Sequence, residues 1–331
     1  MIFHPVILAL LLGSLISTLM ILIGAVFGSQ ILRQWNLSSG SQKQLNMERR
    51  TYLISTFLMF ALISELLSLL LYVYNAEQMS VQFVGAMCAV GTLNANIYGF
   101  PTLIAKIILF FCAALWLMIN HADNQAHDYP LIRWKYGFLI AILPIALSTA
   151  GLQLSYFLNL ETDVITSCCS KLFTPDGDNV TAEMAGLDEA FALGLFYVCL
   201  ALFFIIGLRF YLTKHGHRLF ALASAVLFIA SITAVISVIS LYVYEHPHHH
   251  CPFCLLKPEY NYIGYAIYLP LFVGTALGTG AGTLASFVQI PSLQETLTGF
   301  VQRLTLASLI SILIFAGIVS GAIYLSALRL F

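Results

Sequence analysis

The chemistry-bearing residues of this 331-residue chain are concentrated. The richest segment runs Glu245-His246-Pro247-His248-His249-His250-Cys251-Pro252-Phe253-Cys254-Leu255-Leu256-Lys257. Cys251 and Cys254 have the Cys-x-x-Cys spacing that can close a small redox-active ring. A thiol there becomes a nucleophile when nearby cations or a helix N-terminus stabilise its thiolate. Three histidines, Lys257 and the apolar helix that follows could all do this. The same side chains also make a soft-metal set, since thiolates with imidazoles suit Zn²⁺ or Cu(I). Against one ion stands the run of consecutive histidines, which cannot all point the same way. A third reading is a structural disulfide, within the pair or to Cys88 or Cys168.

Further cysteines lie elsewhere. Cys168 and Cys169 are adjacent, and a disulfide between neighbours closes only a strained, easily reduced ring. They could instead pair with other cysteines or ligate a soft metal. Cys88 sits in an oddly apolar loop with Val81, Phe83, Val84, Met87 and Val90, expected to dip into the membrane surface as a lid or wall. Cys112 and Cys199 fall inside apolar runs and read as small hydrophobes. Two ionisable residues also interrupt apolar runs, Glu65 and Lys106. At that depth each costs several kcal/mol unless paired. Their similar distance from the same loop predicts a Glu65–Lys106 pair, either fixing two helices or forming a proton path or polar quinone site.

Cys251-Pro252-Phe253-Cys254-Leu255-Leu256 resembles the Cys-Pro-x-Cys-x-Leu element of the DsbB-type disulfide-generating membrane proteins. It is also similar to the Cys-x-x-Cys of vitamin K epoxide reductase relatives. The resemblance implies a pair that opens a transmembrane helix at the outer face and passes electrons from a soluble thioredoxin-like protein to quinone. It covers about ten residues of the 331. The chain departs from those families in having more spans than their four or five. Lys257-Pro258 stands where the DsbB-type element continues Gln-Arg, and the adjacent Cys168 and Cys169, or Cys88, stand where a spaced second pair belongs. Only a redox role for Cys251 and Cys254 carries over.

The elements that must position these residues are membrane helices. Hydrophobic residues make up 60% of the chain and charged ones only 9%, against about 25% charged in a soluble domain. So few charges cannot coat a soluble globule, which excludes a soluble enzyme, a nucleic-acid binder and a disordered protein. Eight apolar runs reach the roughly 20 residues that cross a bilayer: 5–27, 51–74, 99–120, 136–160, 189–212, 220–244, 262–287 and 304–328. None alternates with the two-residue period of a membrane barrel, so the expected fold is an all-α bundle of eight transmembrane helices. The first run reads as a span, because it is too long for a signal peptide and lacks a basic flank and a cleavage site.

Arg33, Lys43, Arg49, Arg50, Arg133, Lys135, Arg209, Lys214, Arg218 and Arg303 all fall on one side, which the positive-inside rule makes cytoplasmic. Both termini are then extracytoplasmic, with most of the acidic residues and with Cys88, Cys168, Cys169, Cys251 and Cys254. The predicted organisation is a four-helix half over 1–160, an extracytoplasmic loop over 161–188, and a second four-helix half over 189–331 carrying the 245–260 loop. Cys88 with Cys251, Leu93 with Leu256, and Gly99 with Gly264 recur at matching places in the halves, as a 4+4 parallel duplication would produce. The glycines Gly274, Gly278, Gly280 and Gly282 read as a close helix contact or, less simply, a substrate groove.

The function expected from these residues is a multi-pass thiol–disulfide oxidoreductase or thiol-bearing electron-transfer subunit of the bacterial inner membrane. It would work at the extracytoplasmic face, where disulfides persist. Cys251, Cys254, Cys168, Cys169 and Cys88 would do the chemistry, and Glu65, Lys106 and Lys257 would serve a quinone. The expected partner is an extracytoplasmic thioredoxin-like or other redox protein, within lipid and within a larger membrane complex in one variant. The alternatives are a soft-metal (Zn or Cu) transporter or chaperone using His246, His248, His249, His250 and the cysteines, and a non-catalytic subunit of a respiratory or export complex. No nucleotide motif occurs. No intramembrane histidine pair or Cys-x-x-Cys-His motif offers this chain a heme.

Overall fold

In the computed structural model, residues 4–36, 39, 41–161 and 180–330 are described. Of the described residues 82% are helical, and none is in a strand. Among the described residues, eight helices are long and apolar enough to cross a membrane: α1 Pro5–Gln34, α2 Gln42–Gln82, α3 Gly99–Asp123, α4 Ile132–Leu158, α5 Glu189–Thr213, α6 His217–Tyr244, α7 Ile263–Phe287 and α8 Gln294–Leu325. The protein is a multi-pass membrane protein. Several helices outrun their apolar cores. α2 begins at Gln42 rather than near residue 51, because Gln44 and Met47 turn inward and no proline or glycine intervenes.

The chain divides into two compact units. Unit 1 comprises Met1–Met79, Leu93–Val164 and Phe287–Leu297. In it α1 packs on α2 and α4, and α3 packs on the same two helices. The buried stripe of α1 is Ile7, Leu10, Ser14, Ser17, Ile21, Gly24, Gly28 and Ile31, alternating steps of three and four that keep one face toward neighbours. Small residues in that stripe let backbones approach. A Cβ on Gly24 would lie 2.8 Å from Leu58 and 2.9 Å from Leu139. The opposite face, with Leu12, Leu15, Ile16, Leu19 and Ile23, is exposed, as a lipid-facing surface is.

One charge reads differently in the fold than in the sequence. Lys135 counts as a cytoplasmic flanking charge, yet it is fully buried and pairs with Asp123 at 2.7 Å. Asp123 also accepts from the Leu131 N–H at 2.8 Å, and the Trp116 indole donates to the Lys135 carbonyl at 3.0 Å. A carboxylate ending one helix thus holds the first turn of the next.

Unit 2 comprises Ser80–Thr92, Ile165–Ser286 and Thr298–Phe331. In it α6 packs against α5 and α7, while α8 meets α5 through Phe196 and Phe315, whose rings lie 5.9 Å apart edge to face. The α7 glycines sit at helix contacts. A Cβ on Gly274 would lie 2.7 Å from Ile312 of α8, and one on Gly282 would meet the His217 carbonyl of α6. Ser308 of α8 donates to the Gly274 carbonyl at 2.6 Å. The close-contact reading of the glycine row accounts for these positions.

Candidate functional site

Unit 2 brings three of the five loop cysteines together. Cys88, Cys251 and Cys254 are all buried, and their sulfur atoms lie within 4.8 Å of one another. The Cys88 and Cys251 sulfurs are 3.6 Å apart. The α2–α3 loop delivers Cys88. After a 3-10 turn over Ser80–Gln82, Gly85 takes a left-handed conformation (φ 87°), and Cys88 precedes a short helix over Ala89–Leu93. The Gly91 N–H donates to the Cys88 carbonyl at 3.0 Å. Phe83, Cys88, Ala89 and Val90 are buried, whereas Val81, Val84 and Met87 are exposed. The apolar loop is thus two-sided, with one side in the protein and the other outward.

Cys251 and Cys254 come from the α6–α7 loop. α6 ends in a π turn over Val235–Ile239, a final helical segment over Ser240–Tyr244, and a left-handed Glu245 cap. Cys254 opens a 3-10 turn with Leu255 and Leu256, and a second 3-10 turn covers Pro258–Tyr260. Asn261 and Tyr262 are both left-handed, turning the chain sharply into α7. Gly264 at the start of α7 makes room for the cysteine turn. A Cβ there would lie 2.8 Å from Leu256 and 2.9 Å from the Leu255 carbonyl.

Tyrosine hydroxyls fix the loop backbone around the sulfurs. Tyr244 donates to the Cys251 carbonyl at 2.5 Å, and Tyr268 of α7 donates to the Pro252 carbonyl at 2.8 Å. The Tyr244 ring also packs at a tilt against His249 and Tyr260, at ring separations of 4.2 and 4.5 Å. The Tyr260 hydroxyl is held above its ordinary range by burial first, then by the neighbouring Cys254 and Glu259. Cys-x-x-Cys spacing alone does not point to these tyrosines; the signal available was their density just before and after the motif.

The histidines do not converge on the sulfurs. His250 is buried, and its Nδ1 lies 3.1 Å from the Ile236 carbonyl, so that nitrogen carries the proton. The carbonyl belongs to the π turn, where the helix ladder is locally re-registered. Burial holds the His250 pKa below its ordinary value, partly opposed by the Ile236 carbonyl and Glu189. The His249 ring packs at a tilt against Tyr244. His246 and His248 are exposed, with the His248 N–H donating to the His246 Nδ1 at 3.3 Å. Among the described residues no histidine or carboxylate joins the three-sulfur group. The Lys257 ammonium faces Glu259 at 3.5 Å. Cys168 and Cys169 lie outside the described residues. Cys112 and Cys199 are half-buried, in α3 and α5.

Unit 1 holds the other ionisable candidates. Glu65 of α2 and Lys106 of α3 are both buried and close enough to interact through space. They make no direct ion pair. The Lys106 ammonium donates to the Ser68 hydroxyl at 2.7 Å and sits 5.7 Å from the Tyr72 ring centroid. Ser17 and Ser64 hydroxyls meet at 2.8 Å one position from Glu65, so the acid lies in a polar pocket between helices rather than against lipid.

Comparison with known protein families, with curated proteins and with solved structures finds no match for this chain.

Proposed function

We propose that this protein is a multi-pass thiol–disulfide oxidoreductase of the bacterial inner membrane, with its centre at Cys88, Cys251 and Cys254 on the extracytoplasmic side. The observation that carries the reading is the 3.6 Å separation of the Cys88 and Cys251 sulfurs, with a third sulfur inside the same 4.8 Å group. A disulfide needs about 2.05 Å, so a small approach of the Cys88 loop closes one. Cys254 can then attack that bond, passing the disulfide from Cys88–Cys251 to Cys251–Cys254 and leaving Cys88 as a thiol. Exchange of this kind runs through a thiolate and a neighbouring disulfide sulfur.

Forming the disulfide from two thiols releases two electrons and two protons. A quinone taking both pairs becomes a quinol, and the disulfide left on the centre returns to two thiols by exchange with a thioredoxin-like partner's dithiol, which becomes a disulfide. The Cys-Pro-Phe-Cys-Leu-Leu resemblance favours quinone as acceptor. Glu65 and Lys106 supply the proton-handling groups of the reading, and Lys257 the loop cation. Orientation rests on the basic residues gathered on one side. A 4+4 duplication belongs to the same proposal. It is supported by Gly99, crowded by the Leu93 carbonyl, and Gly264, crowded by the Leu255 carbonyl, each opening the third helix of its half.

The test is thiol trapping in membranes treated with oxidised or reduced quinone. Oxidised quinone should protect two of Cys88, Cys251 and Cys254 and leave the third trappable, and reduced quinone should leave all three trappable. An unchanging trapping pattern under both treatments overturns the reading. A second reading, a soft-metal carrier, is favoured by the convergence of three sulfurs rather than two.

A further inference from the structure

We propose that the reduced centre binds one Cu(I) ion through Cys88, Cys251 and Cys254 alone, with no histidine ligand. The inference deepens the soft-metal reading and does not depend on thiol–disulfide exchange. It needs only the placement of the three sulfurs.

The geometry suits a trigonal ion. At metal–sulfur distances of about 2.3 Å, three ligands around one ion stand about 4 Å from each other. The observed group spans this, with one separation of 3.6 Å and all within 4.8 Å. The donor type is uniformly soft, which selects Cu(I), Zn²⁺ or an iron–sulfur cluster over harder ions.

The surroundings choose among those. Structural Zn²⁺ takes four ligands, and among the described residues no imidazole nitrogen or carboxylate oxygen joins the three sulfurs as a fourth. A filled d-shell monovalent ion accepts three ligands without a fourth. The three cysteines are also buried, as are Leu255 and Leu256, which follow Cys254 in the chain, and this keeps water from an open position. Binding displaces thiol protons, so affinity rises with pH. Two loops supply the ligands, since Cys88 precedes α3 and the other two precede α7. Metal binding therefore ties the α2–α3 loop to the α6–α7 loop.

The experiment titrates the purified, reduced full-length protein anaerobically with Cu(I) held by a chromophoric chelator, followed by X-ray absorption at the copper edge. The expected result is one Cu(I) per chain with sulfur-only coordination. Affinity should fall at least about 10-fold in Cys88→Ser and in Cys254→Ser. It should be unchanged in Cys112→Ser, Cys199→Ser and the double variant Cys168→Ser/Cys169→Ser. Absence of stoichiometric Cu(I), nitrogen in the coordination shell, or dependence on Cys168 or Cys169 overturns the proposal. Preferential retention of four-coordinate Zn²⁺ overturns it equally. The spectrum of the unaltered protein decides the ligand set even where a variant fails to fold. Quinone-dependent trapping is a separate readout, so copper binding can fail while the thiol-exchange reading stands, and the reverse.

Discussion

At the scale of single residues, burial sets the behaviour of the centre. The three sulfurs are out of solvent, so an aqueous maleimide should label Cys88, Cys251 and Cys254 slowly in the native protein and rapidly in denaturant. Rapid native labelling would show that the loops open readily. Tyr244 holds the Cys251 carbonyl. Removing one hydrogen-bond partner from a buried carbonyl costs about 1–3 kcal/mol, so Tyr244→Phe should speed native labelling of Cys251 measurably. His250 has a lowered folded pKa, from burial first, against about 6.5 when unfolded. In the window just below that value the unfolded chain binds more protons than the native one. The His250 contribution is therefore complete above about pH 6.5 and is lost as pH falls through the window. Thermal melts of the purified protein at pH 7.5 and 5.5 should show the loss, and His250→Asn should flatten it. Glu189 opposes and His248 reinforces the shift, so neither may be altered in the same variant.

At the scale of elements, helix contacts made by small residues carry the packing. In lipid there is no hydrophobic drive between helices, so close approach and interhelical hydrogen bonds do that work. Gly274→Leu should separate α7 from α8, because Ile312 already occupies the space a Cβ would take. Overpacking of this kind costs about 1–3 kcal/mol and should lower the melting temperature, whereas Gly13→Leu, with nothing within 4 Å of its Cβ position, should not. The α3–α4 junction gives a larger effect. Removing one partner of a buried ion pair costs about 3–5 kcal/mol, so Asp123→Asn should destabilise strongly, by melting temperature or by protease resistance in detergent. Recovery in Asp123→Asn/Lys135→Met would show that the stranded ammonium was the cause.

At the scale of the whole molecule, the span count was legible and the inward faces were not. Apolar length marks a span whichever way its faces turn, so all eight runs could be read directly. Hydrophobicity cannot say which face of α1 is buried, since lipid and protein interior are equally apolar; the Ser and Gly stripe of α1 carries that information instead. Basic bias predicts that a reporter fused after residue 330 is extracytoplasmic and one inserted near Gly216 is cytoplasmic. Inverted reporter activities would reverse the orientation. Glu65 and Lys106 were matched in depth from residue counting, but rotation about each helix axis decides contact, and Lys106 turns to Ser68.

The sequence by itself determined the solvent of this protein, its helical class and the residues able to do chemistry, because those follow from composition and spacing along one chain. Only the tertiary structure decided which of them meet. It drew Cys88 to Cys251 and Cys254, across 163 positions between the two contacting sulfurs, and left the four neighbouring histidines apart. Side chains a residue apart on a tight loop point in different directions, while distant loops converge when the helices beneath them pack. The sulfur centre is a product of that packing, and the histidine-rich motif beside it is not part of it.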